Sequence, residues 1–159
     1  MKLVKLGIFL KTIIIGIAIC GIAACAYVIP QTGKFIIKIY PELKSWFTPW
    51  LIFILSAAIP CFVALPFAWN IATQIKKDNS FSITNAKSLK AVSILAAADS
   101  VYFLIGNIVL WLFSYSHPSI VLLSLFAVFA GISIAVISAS LSHLVLKAAT
   151  IKDENDLTI

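Results

Sequence analysis

The chain of 159 residues has no arginine, few charges and only three cysteines, and each scarcity excludes a class of protein. Without a guanidinium group it has no bidentate clamp for phosphate or carboxylate. Charged residues make up 11% of the sequence, too few for the water-facing surface of a soluble domain. Cys20, Cys25 and Cys61 all lie in apolar stretches, so their odd number favours packing over a disulfide framework.

Apolar residues are abundant: they make up 62% of the chain, with a mean hydropathy of +1.08. Windows of about 20 apolar residues, the length that spans a bilayer, predict four transmembrane helices near residues 11–29, 50–71, 89–113 and 120–147. The short connections leave room for one domain. The prediction is an all-α, polytopic membrane protein, a four-transmembrane-helix bundle embedded in the lipid bilayer.

The twelve lysines predict its orientation. An even number of spans puts both termini on the same side as the middle loop. That side holds nine lysines: Lys2, Lys5, Lys11, Lys76, Lys77, Lys87, Lys90, Lys147 and Lys152. The other side holds three: Lys34, Lys38 and Lys44. By the positive-inside rule both termini are cytoplasmic, and because the lysines flank the spans we expect no direct nucleic-acid binding.

The first span allows two interpretations. Residues 22–25 (IAAC) resemble a lipoprotein cleavage box, which would leave a lipid on Cys25. The apolar run continues beyond this cysteine, however, so we expect an uncleaved helix. Pro30 is predicted to end that helix, and residues 34–40 to lie separately at the membrane surface.

Asp99 is the one acid inside an apolar span, and it should face the protein interior. Asn107 follows eight residues later on roughly the same face. The pair suggests a proton-, cation- or ligand-binding site. Alternatively, Asp99 is a polar clamp between helices, paired with Lys11, Asn70 or a serine of the fourth helix.

The fourth helix carries small residues at four-residue intervals, a pattern typical of close helix packing within the chain or in a homo-oligomer. The row consists of Ala127, Gly131, Ala135 and Ala139. His143 continues it, either as a pH-sensitive group or as a residue of the membrane boundary.

The middle loop and the tail are the distinctive segments outside the membrane. Ser82 is predicted to cap the third helix, with Phe81 packing against Ala86. Both segments could bind a partner protein. The residues predicted to make that contact are Phe81, Asn85, Leu157, Thr158 and Ile159.

No sequence pattern indicates catalysis. There is no nucleophile elbow, no phosphate-binding glycine loop and no carboxylate pair, and His117 has no neighbour at metal-ligand spacing. We therefore predict a non-enzymatic protein without cofactor or metal.

Residues 79–90 (NSFSITNAKSLK) and 154–159 (ENDLTI) together resemble the bacterial four-helix membrane family called domain of unknown function 2975. Where that family commonly has arginine near the third helix, this chain has Lys87 and Lys90, which keep the charge. The resemblance implies no established activity. It implies an inner-membrane location and, by gene association, a cytoplasmic helix-turn-helix transcription factor as partner.

Three functions remain open from the sequence. The first is a membrane sensor or regulator that acts through a cytoplasmic protein. The second is a small transporter or channel subunit that uses Asp99. The third is a toxin-immunity protein.

Overall fold

A computed structural model describes residues 2–115 and 118–156, which are almost entirely helical and include no strand. The segments are α1 (Lys2–Ala23), a π-helical turn (Ala24–Val28), α2 (Ile29–Ile39), a 3-10 helix (Pro41–Trp46), α3 (Phe47–Lys76), α4 (Ile83–Leu112) and α5 (Pro118–Asp156). Four stretches are long and apolar enough to cross a membrane: Leu3–Ile39, Pro41–Lys76, Ile83–Leu112 and Ile120–Lys152. The predicted all-α fold with four membrane-spanning helices is confirmed.

The prediction that Pro30 ends the first helix is wrong. Helical structure continues through the π-helical turn into α2 and reaches Ile39. Pro30 occupies one of the first two positions of α2, where its missing N–H costs little, and the N–H of Ile29 bonds to the carbonyl of Ala24. Residues 34–39 therefore extend the first span. The helix ends at Ile39, because Tyr40 precedes Pro41 and adopts a non-helical conformation with a φ of −125°.

The spans pack in chain order, with extended contacts from α1 to α3, from α3 to α4 and from α4 to α5. The first span runs antiparallel to α3, and glycines bring the two backbones together. A Cβ on Gly7 would lie 2.6 Å from Cβ of Lys76, and one on Gly33 would lie 2.6 Å from the Phe47 ring. The start of α1, the end of α5 and the α3–α4 turn consequently share one end of the domain, here called the lysine-rich end.

Polar pairs join α3 to α4 at several depths. They are Ser56–Tyr102 (oxygen–oxygen 2.6 Å), Cys61–Asp99 (sulfur–oxygen 3.8 Å) and Asn70–Ser88 (nitrogen–oxygen 3.0 Å). Each pair gives a partner to a polar group that would otherwise face hydrocarbon, although Asp99 is only partly satisfied. The register of this antiparallel pair is thereby fixed along its length.

The α4–α5 interface is the most closely packed of the three. Its row on α5 consists of Ser124, Val128, Gly131, Ala135, Ser138, Ser142, Val145 and Ala149, which are buried or half-buried. Two serine hydroxyls cross the interface: Ser93 donates to the Ala135 carbonyl at 2.8 Å and Ser142 to the Ala86 carbonyl at 2.7 Å. Gly131 lies directly against the Ser100 hydroxyl.

The buried row alternates steps of three and four residues, unlike the four-residue row expected from the sequence. Gly131 and Ala135 belong to both rows, whereas Ala127 and Ala139 are exposed. Steps of four rotate about 40° each around a helix, so a row of four residues drifts by about 120°. Alternating steps drift by only about 20° per seven residues and stay against a partner helix.

Large apolar side chains cover the outside of the domain instead of its centre. Phe126 and Phe129 of α5 are 75% and 71% exposed, and Leu112 of α4 is 73% exposed. The buried positions hold mainly alanine, serine and asparagine. This inverted distribution matches a protein whose surrounding solvent is lipid.

Gly131→Leu should lower the free energy of unfolding by about 1–3 kcal/mol, because the new side chain pushes α5 away from Ser100. Gly16→Leu is the matched control, since a Cβ there meets nothing within 4 Å. Denaturant titration in detergent micelles measures both. Equal stabilities for the two variants would contradict the close α4–α5 contact.

Candidate functional site

Asp99 lies on the part of α4 that faces α3, within the membrane-spanning length. Its Oδ2 accepts a hydrogen bond from the Cys61 thiol at 3.8 Å, and a thiol is a weak donor. Its Oδ1 is buried and has no hydrogen-bond partner. The carboxyl group is therefore only partly satisfied in a medium where polar groups are costly.

Asp99 lines a cavity of about 250 Å³ that is open to the surface of the domain. The cavity lies between three helices, with α4 between α3 and α5. Its lining residues are Ile54, Ala57, Ala58, Asp99, Ser100, Phe103, Ala127, Val128 and Gly131. Three alanines and a glycine leave this space because no side chain extends beyond Cβ at their positions.

Lys11 and Asn70, two of the three partners considered for Asp99 as an interhelical clamp, are engaged elsewhere. The Lys11 ammonium lies 4.6 Å from the centre of the Trp69 ring, a cation–π distance. The Asn70 amide donates to Ser88 at 3.0 Å. Neither group pairs with Asp99, so the acid has no cation partner among the residues that the structure describes.

Asn107 is buried, but it is not part of the cavity around Asp99. Its amide donates to the Phe103 carbonyl of its own helix at 2.8 Å. Eight residues along an α-helix correspond to about 12 Å and a rotation of about 80°. Asp99 and Asn107 are thus separate polar positions on α4.

Neither histidine is among the described residues that line this cavity. His143 is exposed on α5, next to the buried Ser142. His117 lies outside the described residues. Within residues 2–115 and 118–156, no three His, Cys, Asp or Glu side chains come together in a way that could hold a metal ion.

The α3–α4 turn at the lysine-rich end is held by its own polar side chains. Asp78 adopts a left-handed φ of 58°, and Ser82 caps α4 by accepting the Asn85 N–H at 3.3 Å. The Asn85 amide donates to the Ser80 carbonyl at 2.8 Å, and Asn79 bonds to Gln74 at 3.1 Å. The predicted Ser82 cap is confirmed.

The structure separates the residues predicted to contact a partner. Phe81 is 60% exposed on this ordered turn, so most of its ring remains outside any contact with Ala86. Asn85 is buried, with a role inside the turn, because its side chain is short and bonds back to Ser80. Leu157, Thr158 and Ile159 lie outside the described residues.

Sequence reasoning missed Cys61 and Ser100 as neighbours of the acid. Cys61 contacts Asp99 only because of the α3–α4 register, for which the sequence carries no local signal. Ser100 follows Asp99 directly and belongs to the row of α4 residues that faces α5, so the periodicity of α4 could have identified it.

Four apolar helices with lipid-facing surfaces and a partly satisfied internal acid define a small polytopic membrane protein. The chain belongs to the family described as protein of unknown function (DUF2975), which it matches over residues 31–159. It is 31% identical over 156 residues to the uncharacterized membrane protein YoaS of Bacillus subtilis (strain 168), a match covering 96% of each chain. No solved structure matches the chain.

Asp99→Asn should raise the free energy of unfolding by roughly 1–3 kcal/mol, because it removes an incompletely paired acid from the membrane interior. Asn70→Ala should instead lower it by about 0.5–1.5 kcal/mol through loss of the Ser88 bond. Unfolding in detergent compares the two. A loss for Asp99→Asn as large as that for Asn70→Ala would identify Asp99 as a structural clamp.

Proposed function

We propose that the protein is a non-enzymatic regulator of the bacterial cytoplasmic membrane that acts by docking a soluble partner protein on its α3–α4 turn. The observation that carries this proposal is the exposed Phe81 on a turn fixed by four hydrogen-bonding side chains. Exposed aromatic rings on rigid supports are common anchors of protein interfaces, because little conformational entropy is lost on binding.

Charge around Phe81 supports an acidic partner surface. Four lysines are exposed near this turn: Lys76, Lys77, Lys87 and Lys90. The turn itself contains one acidic residue, Asp78. Such a basic rim steers an acidic partner and sets its orientation more than it adds affinity. The helix-turn-helix regulator implied by the family resemblance is the partner that we propose.

The proposal requires the lysine-rich end to be cytoplasmic. The lysine distribution supports that orientation, since cytoplasmic ends of membrane spans carry an excess of lysine. The Trp46 ring stacks on Tyr115, with ring centres 3.4 Å apart, at the opposite end. Aromatic rings of this kind are typical of a membrane–water boundary.

The orientation is measured with single cysteines in a variant that lacks Cys20, Cys25 and Cys61. A membrane-impermeant maleimide should label Glu42→Cys in intact cells and Asp78→Cys only after permeabilisation, because both positions are exposed but at opposite ends. The reverse labelling pattern would place the turn outside the cell and exclude a cytoplasmic partner.

Docking is tested with the photoreactive residue benzoylphenylalanine in place of Phe81 in living cells. Irradiation should produce one discrete protein adduct, identified by mass spectrometry. The same residue in place of Ile94, which is 58% exposed within the membrane span, should give no such adduct.

A second pair of variants tests whether the shape of the turn matters. Asn85→Ala removes the bond to Ser80 and should reduce the adduct, whereas Thr84→Ala, at an exposed neighbouring position, should not. If residue 81 is crosslinked to lipid alone, the docking proposal is wrong.

A further inference from the structure

We propose that the cavity between α3, α4 and α5 binds a lipophilic amine. The amine N–H donates to Asp99 and Ser100, and its hydrocarbon part lies against the apolar walls. This site lies within the membrane span and shares no lining residue with the docking surface around Phe81.

Both polar groups that line the cavity are available as hydrogen-bond acceptors. Ser100 uses its proton to donate to the Ala96 carbonyl at 2.7 Å, which leaves its oxygen to accept. Asp99 accepts a single weak bond from Cys61, and its other oxygen has no partner. A complementary ligand must therefore supply donors.

The carboxyl group can meet such a donor without movement of the backbone. Oδ1 is covered in the present side-chain position, but Asp99 itself lines the cavity. The terminal torsion of an aspartate is broad and roughly two-fold, so a rotation about Cβ–Cγ turns an oxygen towards the space. The thiol of Cys61 is too weak a donor to prevent that rotation.

The charge around the cavity selects an amine over other ligands. An anion would be repelled by the acid, and no described lysine is paired with Asp99 to offset it. Hard metal cations require about six oxygen ligands, whereas this lining offers one carboxyl group and one hydroxyl. An ammonium needs only a carboxylate and one or two further acceptors.

The remaining lining accounts for the lipophilic part of the ligand. Ile54, Ala57, Phe103 and Val128 present hydrocarbon to the space. An apolar cavity of about 150 Å³ holds a benzene molecule. The volume of about 250 Å³ thus accommodates an amine group together with a ring or a short alkyl chain.

Entry from the membrane is consistent with the acid–base chemistry of an amine. The cavity opens on a surface that carries exposed apolar side chains, so a ligand reaches it through lipid. An amine crosses lipid as the neutral free base. It takes up a proton from water, and the resulting ammonium is the form that donates to the Asp99 carboxylate.

The proposal is tested by scintillation proximity with tritiated 4-phenylbutylamine, whose ammonium form carries three N–H donors, and the full chain in detergent. Binding should be saturable, and Asp99→Asn should weaken it by about tenfold or more, because it removes one charge of a desolvated pair. The hydrocarbon in which a C–H group replaces the nitrogen should compete poorly. Equal binding to Asp99→Asn, equally strong competition by the hydrocarbon, or no saturable binding would overturn the proposal.

A matched pair on α5 keeps the test decisive if Asp99→Asn fails to fold. Ala127→Leu fills the cavity and should abolish amine binding while leaving Asp99 in place. Ala130→Leu makes the same change at an exposed position of α5 that does not line the cavity, and should bind as the unmodified protein does. Identical behaviour of these two variants would place the amine elsewhere and overturn the assignment.

Discussion

Close backbone contact between α4 and α5 supports the rest of the domain, because lipid removes the hydrophobic force that drives helices together in water. Gly131 allows this contact at Ser100, and serine hydroxyls bond across it to carbonyls of the facing helix. Held in this way, α4 presents its other face to α3 through a series of polar pairs. The first span then packs on α3 alone among the extended contacts, so each helix depends on the one that follows it in the chain.

The number of spans was predictable because hydropathy is a local property of the sequence. The end of the first span was not predictable, because whether Pro30 ends the helix depends on the π-helical turn just before it. For α5, Gly131 and Ala135 of the expected row pack within the domain, whereas Ala127 and Ala139 are exposed. Ala127 and Ala139 satisfy a four-residue rule along the sequence, yet a helix in contact with another over its whole length follows the seven-residue period.

The candidate site was predictable to a smaller extent. Hydropathy alone identifies Asp99 as a polar group within a span, and the cost of such a group directs it towards protein. Its neighbours depend on the register between helices. Cys61 lies beside Asp99, whereas Lys11 lies over the ring of Trp69 and Asn70 is hydrogen-bonded to Ser88. The rule that a buried acid pairs with an opposite charge therefore does not identify the neighbours of Asp99. The acid is left with a thiol and a cavity.

Both proposed sites adjoin α3, so a movement of this helix at one site would reach the other. Asp99 and Ser88 both meet α3, about 16 Å apart along α4. A ligand that moved α3 at Asp99 would also move Asn70, unless α3 bent between them. Asn70 lies six residues before the end of α3, and the turn that carries Phe81 starts there. Because that turn is closed by bonds to its own side chains, it would follow α3 as a unit, and the exposed ring of Phe81 would move with it.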